Sequence, residues 1–166
     1  NKDREYRTGP TMRFAGKDDI DAPIERAFEA ISDFAAYERL ATARGARVVR
    51  TDKLTVPGPG MCWDLAFKIR NRERRANLRL VAFSPPTAMR LSGQSTNYDL
   101  TITLGLVALS RTKTRLNVEL EVVPRTMSAR LLLQSARLAK GRLTRAFQDR
   151  IHAAVRHVSA EARRNA

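Results

Sequence analysis

The most regular hydrophobic pattern in the chain is a C-terminal stripe that spans about residues 126–164. Apolar residues recur there at steps of three and four, which places them on one side of an α-helix. Polar residues, including Gln148 and His152, occupy the opposite side. Ser128 is a suitable N-cap and no proline follows it, so the pattern predicts one continuous helix on the order of 50 Å long. The apolar positions are Leu132, Ala136, Ala139, Leu143, Phe147, Ile151, Ala154 and Val158.

The middle of the chain changes to a period of two, which predicts β-strands. The clearest strand covers residues 61–69, where Trp63, Leu65 and Phe67 alternate with polar residues such as Asp64. Because the connections are short and one side of each strand is polar, the strands form an antiparallel meander whose apolar side requires a cover. The other predicted strands lie in the ranges 12–21, 48–56, 76–82, 89–93, 98–106 and 116–122.

Two short helices are predicted between the first two strands. Pro23 suits the first turn of one helix, with Asp21 or Ala22 as its cap. The other covers residues 34–43 and ends before Gly45. The elements together predict an α+β domain, in which a curved antiparallel sheet of six to seven strands wraps around the long C-terminal helix.

Length and terminal composition indicate one domain. Residues 1–11 are polar and charged and are predicted to form a flexible N-terminal arm, whereas residues 12–166 suffice for a single domain with its own core. The apolar runs are too short to span a bilayer, and the charged N-terminus does not resemble a signal peptide. Cys62 is the only cysteine, which excludes an internal disulfide bond. We therefore expect a cytoplasmic protein, either a monomer or a homodimer.

The charge balance favours anionic partners. The chain has 31 Lys and Arg against 17 Asp and Glu, which gives a net charge of +14. Arg70, Arg72, Arg74 and Arg75 cluster at a predicted turn. Such a run usually forms a solvated surface, and its more specific use would be contact with anionic lipid headgroups. Nucleic acid ranks last among the partners, because aromatic residues make up only 6% of the chain and are not interleaved with these arginines.

One segment carries a family resemblance. Residues 19–34 read Asp-Ile-Asp-Ala-Pro-Ile-Glu-Arg-Ala-Phe-Glu-Ala-Ile-Ser-Asp-Phe, and Gly58-Pro59-Gly60 precedes the strand that begins near Met61. Together with the element order, these features resemble the START-like helix-grip superfamily (SRPBCC or Bet v 1-like), which includes polyketide cyclases and coenzyme Q-binding proteins. The resemblance covers about residues 12–160. It implies a cavity between the sheet and the C-terminal helix that holds lipids, sterols, polyketides, quinones or hormones.

The candidate ligand-binding residues are those expected on the two apolar surfaces that face each other. The same pattern also suits a filled core. Small residues on the helix opposite large residues on the sheet favour a cavity, as does a concave sheet under a straight helix. The predicted lining consists of Phe34, Tyr37, Trp63, Leu65, Phe67, Leu91, Leu104, Leu132, Ala136 and Ala139.

Catalytic signatures are missing from the sequence. His152 and His157 are the only histidines, and both lie mostly off the apolar stripe, where we expect them to be exposed. The chain contains no Gly-rich phosphate loop, no HExxH motif, no G-x-S-x-G elbow, and too few Cys and His for a typical zinc site. We therefore expect no catalytic residue, metal or cofactor.

The predicted function is non-enzymatic binding or transport of a small hydrophobic ligand such as a lipid, a quinone or a polyketide-like molecule. Two alternatives stay open. One is a polyketide cyclase- or dehydratase-like enzyme, because one fold hosts many activities. The other is a basic module that docks on anionic membranes or proteins.

Overall fold

The computed structural model describes residues 10–165, so the predicted arm lies almost wholly outside the described residues. Alternating apolar residues form strands and the segments with helical periodicity form helices. The elements follow one another as β1 (Met12–Ile20), α1 (Ile24–Ile31), α2 (Phe34–Ala43), β2 (Arg47–Arg50), β3 (Cys62–Ile69), β4 (Arg72–Ser84), β5 (Ala88–Ser95), β6 (Tyr98–Ala108), β7 (Thr114–Pro124), α3 (Met127–Arg137) and α4 (Lys140–Arg164).

The strands form one seven-stranded antiparallel sheet in the order β1-β7-β6-β5-β4-β3-β2. Helix α4 packs against β1 and α1. Its buried residues Ile151, Val155 and Val158 join Ile20 and Leu116 of the sheet in one core. The α+β helix-grip prediction is therefore confirmed, with two short helices after the first strand and a long helix at the C-terminus.

The C-terminal helical segment is divided, whereas the periodicity predicted one continuous helix. Thr126, not Ser128, caps α3, because its hydroxyl accepts the Ala129 N–H at 3.1 Å. At Leu138 and Ala139 the backbone N–H groups bond three residues back, to carbonyls 3.2 Å and 3.0 Å away, which tightens the chain into a turn before α4 begins. The long helix is therefore the 25-residue α4.

The apolar stripe of these helices also lies partly at other positions than predicted. Leu133 is buried and Leu132 is 63% exposed, while Val155 is buried and Ala154 is exposed. Each pair offers two adjacent apolar residues, so the period of the sequence fits either choice. In each pair, the buried residue is the one whose side chain points toward the sheet at β1 or β7.

Three strand predictions also require correction. A bulge between Leu80 and Ala82 turns Phe83 inward, where its ring lies 5.3 Å from Phe28. Strand β2 is only four residues long, whereas the pattern predicted a strand over 48–56. The β3–β4 turn consists of Arg70 and Asn71 alone, both at positive φ, so Arg72, Arg74 and Arg75 lie on β4.

The short helices match their predicted ranges closely. Pro23 itself occupies the N-cap position of α1, so the predicted cap at Asp21 or Ala22 is wrong. Helix α2 covers residues 34–43 as predicted and is capped by Asp33, whose side chain accepts the Ala36 N–H at 3.1 Å. Gly45 follows α2 at φ 90°, which is the left-handed conformation expected after a helix end. None of the helices within residues 10–165 is long and apolar enough to cross a membrane.

Candidate functional site

The inner face of the sheet is mainly apolar but is covered unequally. Near α1, the side chains of Ile20, Leu106 and Leu116 are buried. Towards the β5–β6 turn the inner-face side chains become accessible, and Leu100 is 36% exposed. The partly exposed inner-face residues around it are Leu78, Leu91, Ile102, Leu120 and Val122. The sheet therefore has one closed end and one open apolar end.

Helix α3 begins beside this open end. The Arg125 N–H donates to the Asn97 carbonyl at 2.7 Å, and the Thr126 hydroxyl donates to the Asn97 side-chain carbonyl at 3.2 Å. These bonds tie the start of α3 to the β5–β6 turn. Ala129 and Leu133 are the buried residues of α3. A helix that buries so little side chain covers the sheet thinly, which leaves apolar surface accessible beneath it.

The predicted lining residues divide into four groups. Phe34 and Trp63 belong to the filled core, with ring centroids 5.4 Å apart. Three residues of the sheet are partly buried and pack against that core, and these are Leu65, Leu91 and Leu104. On the helical segment, Leu132 is largely exposed while Ala136 and Ala139 are half-buried.

Phe67 and Tyr37, the other two predicted lining residues, meet at a separate recess between α2 and the end of β3. The recess has a volume of about 480 Å³, which lies within the range of small-molecule sites. Its walls are mainly apolar, and two cationic side chains stand at its rim. The lining consists of Tyr37, Leu40, Ala41, Arg44, Gly45, Ala46, Phe67 and Lys68.

The Tyr37 hydroxyl is fixed and stays protonated. It donates to the Ile31 carbonyl at 2.9 Å, which connects α2 to the end of α1. Burial of the hydroxyl, with a smaller contribution from the nearby Asp33 carboxylate, raises the pKa of Tyr37 to about 12. This hydroxyl therefore supplies no base to the recess at neutral pH.

A second depression lies on the outer face of the sheet and was not predicted. It has a volume of about 570 Å³ and a mixed lining, in which Arg47, Arg75 and Arg125 stand beside apolar residues that include the predicted Leu65. Arg47 and Arg75 both lie beside Glu73, at 2.9 Å and 3.9 Å. These residues are far apart in the sequence and give no joint signal there. The basic hairpin residues Arg70, Arg72, Arg74 and Arg75 are all exposed.

A network of polar contacts joins the end of β2, the connection that follows it and the start of β3. The Arg50 guanidinium donates twice to the Asp52 carboxylate, at 2.8 Å and 2.6 Å, and lies 5.6 Å from the centre of the Trp63 ring. The carboxylate also accepts the backbone N–H groups of Cys62 and Leu54. The Arg50 bonds, followed by these backbone bonds, hold the pKa of Asp52 well below its usual range.

Asp52→Asn is expected to reduce stability at neutral pH and to matter less in acid. The pKa of Asp52 is lower in the folded protein than in the unfolded chain, where it is about 4. The charged carboxylate therefore stabilises the fold above about pH 4, and this stabilisation is lost as the pH falls through the folded-state pKa. Thermal melts from pH 7 to pH 3 should therefore show the gap between wild type and variant narrowing. Asp64→Asn, an exposed change on the outer face, is the control. A difference in melting temperature that does not change with pH would contradict a depressed pKa for Asp52.

His152 and Gln148 face β1, although the sequence pattern placed them on the outer side of the helix. His152 Nδ1 lies 2.5 Å from an Asp18 carboxylate oxygen, and its Nε2 lies 3.1 Å from Gln148 Nε2, which also donates to the Lys17 carbonyl at 2.8 Å. With Nδ1 donating to Asp18, Nε2 accepts from the amide of Gln148. Both ring nitrogens are engaged, so the group links α4 to β1.

Among residues 10–165, no cluster of three or more His, Cys, Asp or Glu is placed to hold a metal.

Solved structures share this architecture. The aromatase/cyclase Zhui from Streptomyces sp. R1128 is 14% identical, with a TM-score of 0.65 over 93% of this chain and 95% of the other. A START superfamily protein from Mycobacterium smegmatis is 15% identical, with a TM-score of 0.56 over 85% and 97%. A Staphylococcus aureus protein of unknown function is 10% identical, with a TM-score of 0.67 over 95% and 98%.

Sequence comparisons add no relative. No protein-family model and no curated protein sequence matches the chain. At identities of 10–15%, the structural likeness establishes the architecture and leaves the activity open. The order of the strands, the paired short helices and the C-terminal helix together show that this chain has the START/SRPBCC-like helix-grip fold.

Proposed function

We propose that this protein binds a small hydrophobic molecule without chemically changing it. The site is the apolar inner face of the sheet at its open end, beneath α3 and the start of α4. One observation carries the proposal: Leu100 and its inner-face neighbours are apolar and accessible, although they face the interior of the domain. Accessible apolar surface on a concave interior is the usual form of a ligand site.

The chemistry of this surface favours binding over catalysis. Around Leu100 the inner face presents mainly leucine, isoleucine and valine side chains, which supply burial and no proton transfer, and Tyr98 adds one phenol to the same face of β6. The ionisable pair Asp18–His152 also lies on the inner face, but its polar atoms are engaged with each other and with Gln148. A cyclase- or dehydratase-like reaction would need a polar group free to reach the ligand. A lipid, a quinone or a polyketide-like molecule would suit the apolar surface.

Leu100→Trp tests the site, because an indole would fill the accessible space at the open end. We expect this change to weaken binding of the neutral probe N-phenyl-1-naphthylamine by about tenfold, which corresponds to about 1.4 kcal/mol. Isothermal titration calorimetry measures the affinity without depending on tryptophan fluorescence. Val107→Trp is the matched control, since Val107 is exposed on the opposite face of the same strand.

The recess under α2 provides the competing location. Ala41→Trp would fill it without touching the inner face at Leu100. Loss of probe binding in Ala41→Trp, with wild-type binding in Leu100→Trp, would move the site to the recess. If the wild-type protein does not bind the probe, and mass spectrometry of solvent extracts finds no co-purifying apolar molecule, the proposal fails.

A further inference from the structure

Helix α3 has a second apolar side that faces away from the domain. Met127, Leu131 and Leu138 are 68%, 59% and 95% exposed. Met127 and Leu131 lie on α3, and Leu138 is its C-cap residue with helical backbone angles, so their spacing of four and seven residues places them on one stripe, opposite the buried Ala129 and Leu133. We call these three exposed residues the outer ridge. Large exposed apolar side chains grouped on one helix mark an interaction surface more often than scattered ones do.

The outer ridge belongs to a strongly cationic segment of the chain. Residues 125–148 include six Arg and Lys and no Asp or Glu. Arg130, Arg137, Lys140 and Arg142 belong to this segment, and within the part of the chain that the structure describes none of the four forms a salt bridge. Their charge is therefore available to a partner. An amphipathic helix with leucines on one side and basic residues beside them is the pattern of a helix that lies in a membrane interface.

The geometry points to an anionic lipid bilayer as the partner of the outer ridge. A bilayer surface accepts both features at once, because its acyl region takes leucine and methionine while its headgroups neutralise arginine and lysine. A second copy of this chain is a poorer partner, since a symmetric contact would bring the same cationic segments together. Nucleic acid would neutralise the cations but would leave the apolar side chains against hydrated phosphates.

Docking through the outer ridge would place the open end of the sheet near the lipid surface, because α3 starts at the β5–β6 turn beside that end. An apolar molecule could then pass between bilayer and protein with little exposure to water. The docking surface itself does not depend on the proposed ligand. Vesicle binding and probe binding therefore test the two proposals separately.

Vesicle flotation tests the docking with the full chain. The vesicles contain phosphatidylcholine alone or phosphatidylcholine with 30% phosphatidylglycerol, each assayed at low salt and at 1 M NaCl. The wild-type protein should float with the anionic vesicles at low salt and only weakly in the other conditions. The triple change Met127→Gln, Leu131→Gln and Leu138→Gln should lower the partition coefficient by about tenfold or more. These residues are exposed, so circular dichroism should show an unchanged fold.

Matched charge variants identify the docking face. Arg137→Gln with Lys140→Gln should weaken vesicle binding by about tenfold or more. Arg72→Gln with Arg74→Gln at the β3–β4 hairpin changes the net charge equally and should leave most of the binding intact. The proposal is overturned if the outer-ridge variant floats like wild type, or if only the hairpin pair reduces flotation. It is also overturned if wild type ignores vesicles but forms a dimer that the outer-ridge variant abolishes.

Discussion

Trp63→Ala is expected to lower the free energy of unfolding by about 3–5 kcal/mol. The indole is buried on the inner face of β3 and packs against Phe34. Its Nε1–H donates to the Glu38 carboxylate at 2.7 Å, and the Arg50 guanidinium lies near its ring. Alanine would open a large cavity and leave Glu38 without its partner, and the two losses act together. Denaturant unfolding followed by far-UV circular dichroism measures the change.

Two further variants separate these contributions. Trp63→Phe keeps most of the apolar contact but removes the bond to Glu38, and its cost should be closer to that of a hydrogen bond to a charged group, about 1.5–3 kcal/mol. Val49→Ala on neighbouring β2 removes an exposed side chain and should change stability by less than about 0.5 kcal/mol. A cost below about 1 kcal/mol for Trp63→Ala would indicate that Trp63 lines an open space, as the sequence pattern suggested, and not the filled core.

The fold was predictable because its main determinants are local. Alternation of apolar and polar residues along β3, β6 and β7 identifies strands with one buried side. Short connections then favour an antiparallel meander, and one long amphipathic segment remains to cover it. Asp33 and Gly45 mark the ends of α2 through capping and left-handed backbone conformation, which depend on residue type more than on tertiary contacts.

The predictions fail where two local patterns fit the sequence equally well and only tertiary contacts decide between them. Periodicity is identical on either side of Leu138, and no proline or β-branched run marks the turn there. Leu132 and Leu133 satisfy the same apolar period, so only packing on the sheet decides which one is buried. The bulge before Ala82 reverses the side on which Phe83 lies, and no turn residue announces it.

The candidate site was also predictable only in the features that depend on local sequence. Alternation predicted which sheet residues face inward, and Leu65, Leu91 and Leu104 do so. Whether an inward residue is covered depends on how far α3 and α4 extend over it, which alternation along a strand does not specify. The accessibility of Leu100 therefore had no signal in the sequence. The polar link from Asp18 to His152 was also not predictable, because it joins residues 134 positions apart.

Gly16→Ala is the second change with a large expected effect. The structure leaves no room for a side chain on β1 at this position: an added Cβ would lie 2.5 Å from both Gln148 Oε1 and Ile151 Cδ1. Both atoms end flexible side chains, but neither can move freely. Ile151 is buried in the core, and Gln148 bonds the Lys17 carbonyl and His152. We therefore expect a loss of about 1–3 kcal/mol in the free energy of unfolding, measured by denaturant titration.

Gly105→Ala is the matched control, since Gly105 also lies within a strand but no atom stands within 4 Å of its added Cβ. It should be neutral or slightly stabilising, because alanine restricts the unfolded chain more than glycine does. Adding Gln148→Ala to Gly16→Ala removes one of the two clashing side chains. The double variant should then cost less than the sum of the single changes, since the two sites share a contact. Strict additivity, or equal losses at Gly16 and Gly105, would show that α4 is not held against β1 by this close approach.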